Sequence, residues 1–175
     1  VAGLELFLGD PHFGGRAVCR VDFSWGASVA YKPRPLDMER AFDTLLSWAN
    51  EAVPGLRQRR PRLLARDEYG WMEWVEAGPP ADADAGVRLS RRLGALLAHL
   101  AVCGATDVHW ENLVISGEHP VLVDLECLLP ADVYPAPRDL DGVERVLGVG
   151  LTPGWSLNGK EWRIGGALAV LGRGM

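Results

Sequence analysis

The sequence predicts an α+β fold in two lobes, and three observations carry that expectation. Residues 1–80 read as strand, glycine-rich turn, two strands, helix and hairpin. A stretch rich in Gly, Pro, Ala and Asp, Gly78-Pro79-Pro80-Ala81-Asp82-Ala83-Asp84, then interrupts the pattern as a linker between lobes. Residues 81–175 open with a second helix, followed by a polar loop and a short hairpin ending in acids. The chain has 175 residues, 48% of them hydrophobic, enough to bury one substantial core and too apolar for a disordered chain.

The elements follow in order. Leu4-Glu5-Leu6-Phe7-Leu8 alternates as a strand, Gly9 to Gly15 breaks it, and Ala17 to Phe23 resumes the alternation. A turn at Ser24-Trp25-Gly26 leads to a strand over Ser28 to Lys32, which Pro33 and Pro35 end by withholding backbone donors. Asp37 is the expected N-cap of a helix carrying Met38, Ala41, Phe42, Leu45, Leu46 and Ala49 on one face. Arg62-Leu63-Leu64-Ala65 and Trp71-Met72-Glu73-Trp74-Val75 form a hairpin about Arg66 to Gly70. Leu89, Leu93, Leu96, Leu97 and Leu100 mark the second helix, which Gly104 closes. Leu113-Val114-Ile115 and Pro120 to Leu125 pair about Ser116 to His119, and the Pro/Gly-rich remainder after Pro130 carries no readable pattern.

Composition narrows the function. The formal net charge is -5, and the one arginine cluster, Arg57 to Arg62, reads as a solvated loop, so no nucleic-acid partner is expected. Three separated cysteines, Cys19, Cys103 and Cys127, lack zinc spacing and fit a reduced, cytoplasmic protein. The apolar run Leu93 to Cys103 falls short of the ~20 residues of a transmembrane span. The chain starts with Val and stops in Leu171-Gly172-Arg173-Gly174-Met175, which reads as a piece of a longer polypeptide.

The polar loop is where chemistry concentrates. In Thr106-Asp107-Val108-His109-Trp110-Glu111-Asn112-Leu113, Asp107 and Asn112 stand five positions apart, the Asp-x-x-x-x-Asn spacing of a protein-kinase catalytic loop. Asp124 follows Asn112 by twelve positions at a strand end, where the two can share a magnesium ion. Lys32 offers a cation to nucleotide phosphates, or caps an edge strand. The glycine segment Gly9 to Gly15 can cover those phosphates, although it matches neither the Walker pattern nor the usual kinase loop. Alternation in Asp124-Leu125-Glu126 sets both acids on one strand face, and His109 can contact the acid or a phosphate. His99 reads as helix packing, His119 as a turn residue, and Trp71, Trp74 and Trp110 as core or wall.

These motifs jointly resemble one family, the dehydratase region of class II lanthipeptide synthetases, whose core is similar to a lipid-kinase fold. The resemblance rests on Gly9-Asp10-Pro11-His12 with Gly15-Arg16, Tyr31-Lys32-Pro33-Arg34, Tyr69-Gly70-Trp71-Met72-Glu73, Thr106 to Asn112, and Asp124-Leu125-Glu126. It covers about Leu8 to Leu129 and implies a kinase-like bilobal core, here incomplete. It further implies ATP-dependent phosphorylation of Ser and Thr in a leader-bearing precursor peptide, then phosphate elimination to dehydroalanine and dehydrobutyrine. On this resemblance Lys32 contacts ATP, Asp107 orients the acceptor, and Asn112 and Asp124 bind Mg2+. Asp10 and His12 match phosphate-loop positions, His109 and Glu126 match polar site positions, and Arg16 and Arg34 are phosphate contacts. The elimination residues and a zinc-binding cyclase domain of the same full-length protein would lie outside this chain.

Two other readings stand beside it. A small-molecule kinase of the aminoglycoside or lipid type would share the phosphate chemistry but stop at a phosphorylated product. An inactive scaffold would bind a peptide without magnesium-dependent ATP binding.

Overall fold

The computed structural model describes residues 1–12, 15–106, 108–109, 111–126, 128, 146, 148–151, 154–158 and 161–165, with backbone alone for 9–12, 154–158 and 161–165. The chain divides into two compact units, Val1–Pro54 with Arg59–Glu76, and Gly55–Gln58 with Ala77–Met175.

The first unit is a five-stranded antiparallel sheet with one helix. Strands β1 (Gly3–His12), β2 (Arg16–Asp22), β3 (Ser28–Lys32), β4 (Leu63–Ala65) and β5 (Gly70–Glu73) lie in the order β1-β2-β3-β5-β4. Helix α1 spans Asp37–Ala52. Strand β3 matches its sequence-based expectation residue for residue. Its place between β2 and β5 removes the reading of Lys32 as an edge-strand cap, because β3 has a neighbour on each side.

Strand β1 runs on to His12, which pairs with Arg16, so the backbone from Gly9 to His12 is strand where the sequence suggested a covering loop. Gly15, a turn residue just before β2, takes the left-handed conformation (φ 74°) that suits a residue without a Cβ. The pairing slips on either side of Leu8, and Phe7 beside the first slip has φ 61°.

Period-two alternation decides what the sheet buries. Ala30 lies opposite Met72, and Lys32 opposite Gly70, so the four share one face, and all four are buried. Tyr31 and Trp71 point to the other face, where their rings meet at 4.9 Å. Helix α1 buries Glu39, Phe42 and Leu46, spaced three and four residues apart along one stripe. Its N-cap is Leu36 rather than Asp37, which sits inside the first turn; Leu36 is fully buried and supplies no side-chain cap.

The arginine cluster is a loop with Arg57, Arg60 and Arg62 exposed, as read, yet two of its arginines are tied down. Arg59 pairs with Glu73 at 2.9 Å, and Arg60 grips Asp43 with two bonds of 2.7 Å. In the second unit, Gln58 donates to the Arg92 carbonyl and Arg92 donates back to the Arg57 carbonyl, which binds Gly55–Gln58 to a helix far along the chain.

That helix, α2 (Ala83–Val102), starts from Asp82, whose carboxylate accepts the Ala85 N–H at 2.7 Å. It ends as the sequence predicts at Gly104 (φ 65°): the Ala105 N–H donates to the Leu100 carbonyl and the Gly104 N–H to that of Ala101, a Schellman closure. Strands β6 (Leu113–Ser116) and β7 (His119–Leu122) form a hairpin about the two-residue turn Gly117-Glu118. His119 therefore opens β7 rather than lying in the turn. Gly78, expected in a linker, donates to the Ile115 carbonyl and bridges β6 at Ser116.

The Pro/Gly-rich remainder holds a hairpin that the sequence did not reveal, β8 (Gly154–Asn158) with β9 (Glu161–Gly165). Among the described residues no helix is long and apolar enough to cross a membrane, and Cys19 and Cys103 are free thiols.

Candidate functional site

One group of side chains lies in the first unit and two lie in the second. In the first, Lys32 leaves the last position of β3 on the buried face of the sheet, and Glu39 leaves the first turns of α1 on the stripe packed against it. Lys32 Nζ donates to Glu39 Oε1 at 3.1 Å, with the two side chains 4% and 2% exposed. Arg34, two residues past Lys32, donates to the same carboxylate through both terminal nitrogens, at 2.7 Å to Oε1 and 3.1 Å to Oε2.

One buried carboxylate thus holds two cations. Taking charges out of water costs several kcal/mol per ion unless each is paired, so the cluster is demanding to maintain. A strand lysine paired with a helix glutamate is also the arrangement a kinase requires for holding nucleotide phosphates.

Sequence reasoning found Lys32 and Arg34 but missed Glu39. It lies seven residues beyond Lys32 in a helix with Asp37, Asp43 and Glu51, and nothing local marks it out. The usable signal was its place: on the α1 stripe with Phe42 and Leu46, a charged residue at an apolar position.

In the second unit the loop between α2 and β6 is fastened at both ends and in the middle. Ala105 closes the helix. Val108, fully buried, donates its N–H to the Val149 carbonyl at 2.9 Å, so a segment of the unreadable Pro/Gly-rich region supports the loop from beneath. The Asn112 N–H then donates to the His109 carbonyl at 3.1 Å, and the Asn112 carbonyl accepts the Val123 N–H at 2.9 Å.

That last bond sets the geometry around Asp124. Asn112 immediately precedes β6 and Val123 immediately follows β7, so Asn112 and Asp124 stand at the same open end of the hairpin, both partly buried. The strand expected to run through Leu125 stops at Leu122. Asp124 and Glu126 therefore do not share a strand face: Glu126 lies in a turn and its N–H reaches Asp124 Oδ1 at 3.4 Å. Leu125 between them is buried, which holds the turn in place.

His109 is half-exposed, with its Nδ1 3.9 Å from Glu111 Oε2, beyond hydrogen-bond reach. Asp107 and Trp110 lie outside the described residues, as do the side chains of Asp10 and His12, whose backbone belongs to β1. Arg16 is exposed at the start of β2.

Asn112 and Asp124 offer an amide oxygen and a carboxylate. Magnesium takes such hard oxygen ligands, commonly one or two carboxylates completed by water and substrate phosphate. Among the described residues no group of three His, Cys, Asp or Glu could hold a metal ion.

A third charged cluster flanks the hairpin. Glu118, in the β6–β7 turn, receives Arg88 and Arg92, the latter at 2.7 Å to its carboxylate and 3.0 Å to its carbonyl. Hydrogen bonds from Arg88 and then Arg92 hold the Glu118 carboxyl down to about 2. Arg92 is 9% exposed and ties α2 to both the hairpin turn and the Arg57 carbonyl. In the same unit, burial lowers the pKa of His99, whose Nδ1 is buried with no hydrogen-bond partner among the described residues.

Comparison with known proteins adds a family. A domain of unknown function, DUF4135, matches residues 1–173. The lacticin 481/lactococcin biosynthesis protein of Lactococcus lactis subsp. lactis is 26% identical over 136 residues, covering 72% of this chain. The chain spans about 14% of that relative's length. Matched over nearly all of its residues, the chain belongs to the DUF4135 family, and with it to the class II lanthipeptide synthetases.

Proposed function

We propose that this chain is the kinase-like part of a lanthipeptide dehydratase, acting in lantibiotic maturation by phosphorylating Ser and Thr of a precursor peptide with ATP. Elimination of the phosphate then gives dehydroalanine or dehydrobutyrine. The observation that carries the reading is the buried Lys32–Glu39 pair, a strand lysine fixed by a helix glutamate. Family membership and the biosynthetic relative support a peptide substrate.

In this reading Lys32 faces the nucleotide phosphates, Glu39 positions it, and Arg34 keeps Glu39 in place. Asn112 and Asp124 would hold Mg2+, which when bound neutralises charge developing on the transferred phosphoryl group. Asp107 orients the attacking hydroxyl and takes its proton. His109, Asp10, His12 and Glu126 contribute polar contacts around the phosphates.

The test uses the complete protein with its precursor peptide and Mg-ATP, read by mass spectrometry. Loss of one water per Ser or Thr is the expected result, with Lys32→Ala abolishing it. A stable gain of phosphate would instead identify a kinase that stops at its first product. Peptide binding without magnesium-dependent nucleotide binding would identify a scaffold.

A further inference from the structure

An open groove of about 940 Å³ lies in the first unit between α1 and β4. Asp37, Arg40, Ala41 and Thr44, at helical spacing, form one wall, and Leu63, Leu64 and Ala65 form the other. Strand β4 is the last in its sheet, so among the described residues one of its edges has no partner strand.

The pairing with β5 fixes which groups that edge presents. Glu73 donates to the Arg62 carbonyl and Arg66 donates to the Tyr69 carbonyl, so Arg62 and Arg66 turn their backbone groups towards β5. Antiparallel strands alternate, which turns the N–H and C=O groups of Leu63 and Ala65 outward, away from β5. A sheet edge of this kind receives an extended peptide as an added strand.

The charge on the walls selects the peptide. The groove holds three arginines against two aspartates. Arg60 and Asp43 satisfy each other through two bonds, so neither is available to a ligand. Arg62 pairs with Glu73 Oε2 through Nε at 3.5 Å but stays 88% exposed, and Arg40 is exposed with no ion pair among the described residues. Of the lining charges this leaves Arg40 and the exposed Arg62 beside the strand edge, against Asp37.

We propose that this groove seats an extended, acidic peptide segment, which pairs with Leu63 and Ala65 as a sixth strand and sets its carboxylates against Arg40 and Arg62. Assigning that segment to the substrate rests on the peptide-modifying reading above. Binding is measured without nucleotide, so a failure here is separate from a failure of phosphorylation. Occupancy would also touch the turn of α1 that carries Glu39.

The probe is a fluorescein-labelled decapeptide of alternating Glu and Val, followed by anisotropy against the purified protein. Saturable binding is expected, weakened about tenfold by Arg40→Gln with Arg62→Gln and by replacing Glu with Lys in the probe. Ala65→Pro removes one outward N–H while keeping the β5 ladder, and is expected to weaken binding by a similar factor. Circular dichroism and thermal melting check that each variant folds; if Ala65→Pro does not, N-methylation of alternate probe residues tests the same hydrogen bonds. Equal binding of acidic and basic probes, or affinity unchanged by these substitutions, overturns the proposal. So does a dimer in sedimentation velocity that Ala65→Pro abolishes, since a second copy would then occupy the edge.

Discussion

Gly70→Ala is expected to destabilise the first unit through a single side chain. A Cβ built on Gly70 stands 2.3 Å from both Cγ and Cδ1 of Leu36. Carbon atoms prefer separations of about 3.5–4.0 Å, so Leu36 has to retreat by more than about 1 Å. It is fully buried, and its carbonyl accepts the Arg40 N–H at 2.9 Å as the first bond of α1. Its retreat therefore pulls on the helix three residues before Glu39. Overpacking of this kind costs about 1–3 kcal/mol. For a chain of this size each kcal/mol lowers the melting temperature by about 2–4 °C, so the variant should melt roughly 2–12 °C lower.

Urea unfolding of the wild type, Gly70→Ala, Leu36→Ala and the double variant completes the assay. Leu36→Ala alone opens a cavity costing about 2–5 kcal/mol. In the double variant the alanine methyl fills part of that cavity, so the combined loss should fall short of the sum of the single losses. Wild-type stability for Gly70→Ala, or strictly additive losses, would refute the reasoning.

Three further outcomes follow from the charged clusters. Glu39→Gln leaves Lys32 and Arg34 without their shared anion and should cost about 3–5 kcal/mol, read by denaturant unfolding; it should also abolish phosphorylation by the complete protein. Glu118 has a folded pKa held below its ordinary 4.5, to about 2, so its contribution to stability is full above about pH 4.5 and lost as pH falls through about 2. Glu118→Gln should accordingly flatten the loss of melting temperature over that window. Asp107→Asn and Asp124→Asn should each abolish phosphorylation in the complete protein, one by removing the proton acceptor and the other a magnesium ligand; wild-type phosphate incorporation would sink the assignment.

What could be read from the chain depended on whether the cause was local. Strand β3 was legible because Ser28 to Lys32 alternates and Pro33 terminates it. The end of α2 was legible because Gly104 alone there tolerates a left-handed backbone. Asp124 to Glu126 was misread because Val121 to Glu126 keeps a strand-like alternation, whereas the ladder ends where Val123 turns its N–H to the Asn112 carbonyl. Glu39 was missed for the complementary reason: its partner is supplied by a strand of the same unit, not by its own neighbours. The support of Val108 by Val149 and the hairpin of β8 and β9 lie in a Pro/Gly-rich stretch whose pattern carries no period.

The double grip of Arg34 on Glu39 has a consequence for exchange of partners. A lysine locked to a lone buried carboxylate would strand that carboxylate whenever an arriving anion drew it away. Here the guanidinium bonds both oxygens of Glu39, so if an anion drew Lys32 away that carboxylate would still be paired. In that event Arg34 would act as a placeholder, leaving no unpaired negative charge in the core.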